Sequence, residues 1–187
     1  MNYSLKHYLD ADWERLSALC GKPGIPRQWI SHFQPRFAPV VLVRYAHFVH
    51  LRGWCRLAKL FSLANFIFFN LEVPASLYIG PGLVIPHPQG TVLGACRIGA
   101  NATIFHQVTI GGSVADFKFD PNLRPVIGND VTLCVGAKIL GVIKLGDFCV
   151  VGANAVVLSD VPPRALAVGV PAKIKMSGEE ENLDERC

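Results

Sequence analysis

An aliphatic residue returns at every sixth position through the C-terminal half of the chain, a period that neither an α-helix nor a flat alternating strand produces. Val92, Ile98, Ile104 and Ile110 keep this step, and Ile127, Leu133, Ile139, Leu145, Val151 and Val157 resume it after a gap. A six-residue step belongs to a solenoid in which each hexad lays down one side of a coil. The position four after each aliphatic residue is small or branched at Ala102, Val108, Val131, Ala137, Ile143, Cys149, Ala155 and Val161. Glycine follows the aliphatic residue at Gly99, Gly111, Gly128, Gly146 and Gly152, where a tight corner needs a residue free of the Cβ restriction. Three hexads then close one triangular coil, and stacked coils share a continuous core.

The period fails in two places. Coils begin at Ile79 and Ile85, and one extra residue enters at Pro86-His87-Pro88-Gln89-Gly90 before Val92. Between Ile110 and Ile127, Ser113 to Pro125 (SVADFKFDPNLRP) reads as a loop thrown out of the coil, and loops on rigid solenoids carry function. The chain therefore divides into an α-helical segment over 1–71, a solenoid over 72–176 with the loop 113–125, and an acidic tail over 177–187 with the composition of a disordered segment.

The N-terminal segment lacks the period and reads as helical pieces. Asp10 or Asp12 is expected to cap a helix running through Leu19; a second piece covers Arg27 to Phe33, and a third runs from about Val40 to Asn70. No Asp or Glu occurs between Glu14 and Glu72, while Arg15, Lys22, Arg27, Arg36, Arg44, Arg52, Arg56 and Lys59 do. Arg52, Arg56 and Lys59 have the spacing of one helical face. Two readings fit equally: an amphipathic segment in peripheral contact with a membrane through residues 40–70, or an oligomerisation helix covered by a neighbouring subunit. No nucleic-acid-binding motif accompanies the charge. The uncharged run Leu60 to Leu71 is too short to span a bilayer, and acidic residues stand where a signal peptide has its apolar core, so the expected location is the cytoplasm, at most against the inner face of the membrane. The six cysteines form no CxxC pair and read as buried thiols in a reducing compartment, with neither a disulfide framework nor a metal site.

The candidates for chemistry are histidines. His87 sits between two prolines at the frame shift, and His106 sits on a coil in Ile104-Phe105-His106-Gln107. Both are expected to point outward from the core, and Glu72 supplies a carboxylate one coil before His87.

These residues also carry a resemblance. Ile79-Gly80-Pro81-Gly82-Leu83-Val84-Ile85-Pro86-His87, Val108-Thr109-Ile110-Gly111-Gly112, Val135-Gly136-Ala137-Lys138-Ile139-Leu140-Gly141 and Gly169-Val170-Pro171-Ala172-Lys173 resemble the hexapeptide-repeat acyltransferases, specifically serine acetyltransferase and its relatives of surface-polysaccharide pathways. The resemblance implies a mainly β fold, a left-handed parallel β-helix preceded by the α-helical segment. It implies an O-acetyltransferase using acetyl-CoA as co-substrate without a metal, with His87 as general base and Glu72 orienting it. Gly111 and Gly112 are the expected oxyanion or cofactor contacts, Ala137, Ala155, Pro171 and Lys173 the cofactor contacts, and His106 and Arg124 the acceptor contacts. It also implies a homotrimer, with doubling of the trimer through the N-terminal helices as an extension. Pro86 replaces the aspartate that precedes the family's catalytic histidine, and Leu123-Arg124 replaces an arginine-histidine pair before the loop proline. On those departures the expected acceptor is a sugar hydroxyl of a surface polysaccharide or its precursor, with L-serine as the alternative. A trimeric carbonic anhydrase needs three histidines around zinc, and only two lie in the coils. A non-catalytic solenoid binding protein is the remaining alternative.

Overall fold

The computed structural model describes residues 4–114 and 119–176. Helix α1 (Leu5–Leu19) starts at Ser4, whose side chain accepts a hydrogen bond from the backbone N–H of His7 at 3.3 Å. Asp10 and Asp12 therefore lie inside the helix and do not cap it. A 3-10 turn covers Trp29–Phe33, and α2 (Ala38–Leu51) carries Pro39 in its first turn, where the missing N–H costs nothing. The single long helix expected from Val40 to Asn70 is two: Gly53, at φ +80°, breaks it, and α3 runs Cys55–Phe69 before Asn70 stops it in the left-handed conformation. Arg52 caps the end of α2, so it does not share a helical face with Arg56 and Lys59.

From Leu71 the described residues form fourteen short strands, from β1 (Leu71–Glu72) to β14 (Lys173–Met176). With β2 at Tyr78–Ile79, β4 at Arg97–Ile98, β7 at Val126–Ile127, β10 at Lys144–Leu145 and β11 at Val150–Val151, three parallel ladders make the three walls of a triangular solenoid: β1-β3-β6-β9-β12, β2-β4-β7-β10 and β5-β8-β11-β13. In the first wall β3 is Thr91–Leu93, β6 Thr109–Gly111, β9 Lys138–Leu140 and β12 Val156–Val157. β5 (Thr103–Ile104) and β8 (Thr132–Leu133) belong to the third wall. β14 turns back antiparallel on β13 (Ala165–Val168) and ends the stack.

The sixfold period reappears as columns. Ile79, Ile98, Ile127 and Leu145 stack in register; Leu93, Ile110, Ile139 and Val157 form a second column, and Ile104, Leu133 and Val151 a third. All are buried, as are all eight small or branched residues four positions on. One assignment changes. Val92 pairs with Thr109 on the outer face, and Leu93 takes the inner place opposite Ile110. The frame slips by two residues across His87 and recovers one before Ile98.

Glycine at the corners serves close approach more than unusual φ. A Cβ on Gly99 would stand 2.4 Å from the carbonyl oxygen of Gly128 on the next coil. The positive φ of the same corner falls on Asn101, Asp130 and Phe148.

The helices cap the open end of the solenoid and share its core, with Leu9, Trp13, Phe37, Val40 and Val43 in the same cluster as Leu71 and Ile79. A buried ion pair fixes the cap. Arg44 of α2 binds both carboxylate oxygens of Asp12 in α1 at 2.7 and 2.9 Å and donates to the carbonyls of Ile79 and Gly80. Asp12 in turn accepts from the N–H of Leu83 at 2.7 Å. Arg15 adds bonds to the carbonyls of Gly82 and Ala102 and to the Thr103 hydroxyl.

The cysteines are less hidden than expected. All five described are free, but only Cys149 is fully buried, and Cys20 and Cys55 are exposed. Burial pushes the Cys149 thiol up to about 11. The tail 177–187 lies outside the described residues.

Candidate active site

The slip in the period sets His87 on the corner that leads into β3. Ile85 and Leu93 are anchored inside, Pro88 is buried, and His87 is left exposed between two rigid residues. On the next coil His106 occupies the corner between β5 and β6. The two rings lie edge to face, with centroids 5.8 Å apart and planes at 89°. His106 is half-buried, and its Nδ1 is fully buried with no hydrogen-bond partner among the described residues. Gln107 beside it adopts φ +59°, and its carbonyl accepts from the Lys138 ammonium. Lys138 is a neighbour of the site that sequence reasoning passed over; its place in the Ala137-Lys138-Ile139-Leu140-Gly141 run was the available signal.

Glu72 stands on the outer face of the first wall, exposed, in the column Glu72, Val92, Thr109, Lys138 and Val156. It is one coil from His87, but no hydrogen bond or ion pair joins the two side chains.

Arg124 is placed elsewhere. Its Nη1 donates to the carbonyl of Gly94 at 3.2 Å, and its guanidinium lies over the ring of Phe119 at 3.9 Å. Gly94 follows β3 and His87 precedes it, so within one chain the His87 and Arg124 side chains occupy opposite corners of the same wall. A Cβ on Gly94 would meet Arg124 Nη1 at 2.8 Å, so glycine leaves the room that the arginine fills. Phe119, which orders the guanidinium, was not singled out from the sequence.

The expected cofactor contacts divide. Gly111 ends β6, and its carbonyl accepts from the N–H of Gly141 at 3.0 Å; the space beside its Cα is open. Gly112 faces the loop, where a Cβ would meet the Leu123 carbonyl at 3.2 Å. Pro171 and Lys173 are exposed beside the last coil. Ala137 and Ala155 have no exposed surface. Packing of the internal column accounts for their size, and they offer no side-chain surface to a ligand. Among the described residues no group of three or more His, Cys, Asp or Glu is arranged to hold a metal ion.

Solved structures share this fold. A serine acetyltransferase in complex with CoA superposes with a TM-score of 0.79 at 27% identity, covering 92% of this chain and 70% of that one. The soybean serine acetyltransferase apoenzyme gives a TM-score of 0.78 at 33% identity, covering 92% and 69%. Fold and site together define a left-handed β-helix acyltransferase. No family model matches the chain. The serine acetyltransferase of Helicobacter pylori strain J99 is 38% identical over 176 residues, which span 92% of this chain and 95% of that protein. That of Bacillus subtilis strain 168 is 37% identical over 132 residues, 70% of this chain and 59% of its own length. The chain belongs to the serine acetyltransferase family. These relatives give no support to the surface-polysaccharide acceptor expected from Pro86 and Arg124; they favour the alternative.

Proposed function

We propose that the protein is a serine O-acetyltransferase that moves the acetyl group of acetyl-CoA to the hydroxyl of L-serine, giving O-acetylserine and free CoA. The observation that carries this reading is the similarity to the Helicobacter enzyme through nearly the full length of both chains, helical cap included.

The chemistry follows from the corner residues. A serine hydroxyl is a poor nucleophile until a base within reach takes its proton, and an imidazole is a side chain suited to that role; His87 supplies one at the exposed corner. The oxygen attacks the thioester carbonyl, the tetrahedral intermediate expels the CoA thiolate, and the imidazolium returns the proton to sulfur. Glu72, one coil away, is the carboxylate assigned to orient the His87 ring; backbone N–H groups at Gly111 and Gly112 would serve the oxyanion. Lys173 is suited to a CoA phosphate. The Arg124 guanidinium, ordered by Phe119 and the Gly94 carbonyl, suits the serine carboxylate. Since His87 and Arg124 occupy opposite corners of one wall, a homotrimer that sets one subunit's His87 corner against the next subunit's Arg124 corner completes the site.

The test is release of CoA thiol by purified protein given acetyl-CoA with L-serine, and then with a panel of free and nucleotide-linked sugars. L-serine is expected to give the highest kcat/KM. A sugar that outperforms it, with L-serine inert, overturns the reading.

A further inference from the structure

One face of the helical cap has no partner among the described residues. Of α3 only Ala58 and Asn65 are buried, where the helix packs on α2. On the other side Leu60, Leu63, Phe66, Ile67 and Phe68 are each more than half exposed. Leu60, Leu63 and Ile67 follow helical spacing and form one stripe, which Phe66 and Phe68 widen. Contiguous apolar surface of this kind marks a contact surface on a folded protein.

Cations stand at one end of the stripe. Arg52, Arg56 and Lys59 are exposed around the turn between α2 and α3, and Leu51 and Trp54 are exposed among them at 62% and 61%. The Arg52 guanidinium lies 3.5 Å over the Phe48 ring, which fixes it at the turn. Neither α2 nor α3 carries a single Asp or Glu.

We propose that α3 and the turn before it dock the protein on an anionic phospholipid surface. The apolar stripe enters the boundary of the acyl chains, with the three cations against headgroup phosphates. Charge decides the occupant. A second copy paired along this stripe brings cationic turns together or sets them against Phe66 and Phe68, and neither helix has an acid to meet them. The contact is peripheral, because no helix of the described residues is long and apolar enough to cross a membrane. It is independent of which hydroxyl the enzyme acetylates.

The experiment is co-sedimentation of the full chain with vesicles of mixed phosphatidylglycerol and phosphatidylcholine and with vesicles of phosphatidylcholine alone. Sedimentation analysis of mass runs in parallel. The expected result is binding that requires phosphatidylglycerol and weakens with salt. The double variant Arg56→Gln/Lys59→Gln should reduce it on the order of thirtyfold, at roughly a fivefold factor per cation. Leu63→Gln/Ile67→Gln should abolish it while acetyl transfer and thermal unfolding stay as in the parent. Absence of binding overturns the proposal, as does binding that both variants retain. A fall in oligomer mass in Leu63→Gln/Ile67→Gln, with no vesicle binding by the parent, also overturns it and assigns the stripe to a second copy.

Discussion

At His87 the chain exposes a titratable ring on a rigid corner, so its loss should remove chemistry and leave folding intact. His87→Ala is expected to lower kcat about a hundred- to ten-thousandfold with an unchanged melting temperature, read by thiol release and calorimetry. Arg124→Lys keeps the charge but loses the planar fork and the stack on Phe119; KM for L-serine should rise by more than kcat falls. His47 behaves differently. Burial, opposed by its bond to the Ala75 carbonyl and aided by nearby Arg44, holds its pKa below the usual 6.5. The folded state therefore binds this proton less readily than the unfolded state. The stability it contributes is complete above pH 6.5 and is lost as pH falls through the folded value. His47→Gln should flatten that acid-side slope in denaturant titrations between pH 7 and pH 5, a window set roughly by the ordinary histidine range.

At the scale of elements, two joints hold the molecule. The Asp12–Arg44 pair is almost fully buried, at 0% and 4% exposure, and links α1 and α2 to the first coil. Asp12→Ala leaves a buried guanidinium uncompensated and should cost about 3–5 kcal/mol by urea unfolding. The second joint is the stacking distance of the corners. Gly99→Ala forces a methyl group against the backbone of Gly128 and should destabilise by about 1–3 kcal/mol, whereas Gly111→Ala meets open space and should cost less than about 1 kcal/mol.

For the whole molecule, the proposed site, with His87 and Arg124 separated along one wall, makes assembly a testable requirement for activity. Sedimentation should give a mass of three, or with pairing of trimers six, times 20.4 kDa. Activity should fall on dilution below the range where the trimer holds. Much of this architecture was legible in the chain, because a solenoid writes its cross-section into the sequence. Ile98, Ile104, Ile127 and Leu133 could be assigned inward from spacing alone, since each coil repeats the packing of the last. At the interruption the same logic misassigned Val92, because a frame slip is local and only the pairing of Leu93 with Ile110 resolves it. The helical cap was less legible. Asp12 looks like an N-cap and Arg44 like one more surface cation, since partners 32 residues apart leave no mark on local pattern.

The sequence by itself determined the repeating coil, the inward columns and the two irregular corners where chemistry was to be sought, because nearest-neighbour packing in a solenoid is a periodic constraint. Only the tertiary structure decided that His106 faces His87, that no bond joins Glu72 to His87, that Arg124 is held at the opposite corner, and that Ala137 and Ala155 are sealed inside. Those relations depend on which coils stack and on where a slipped frame recovers, and they are set by contacts between residues far apart in the chain.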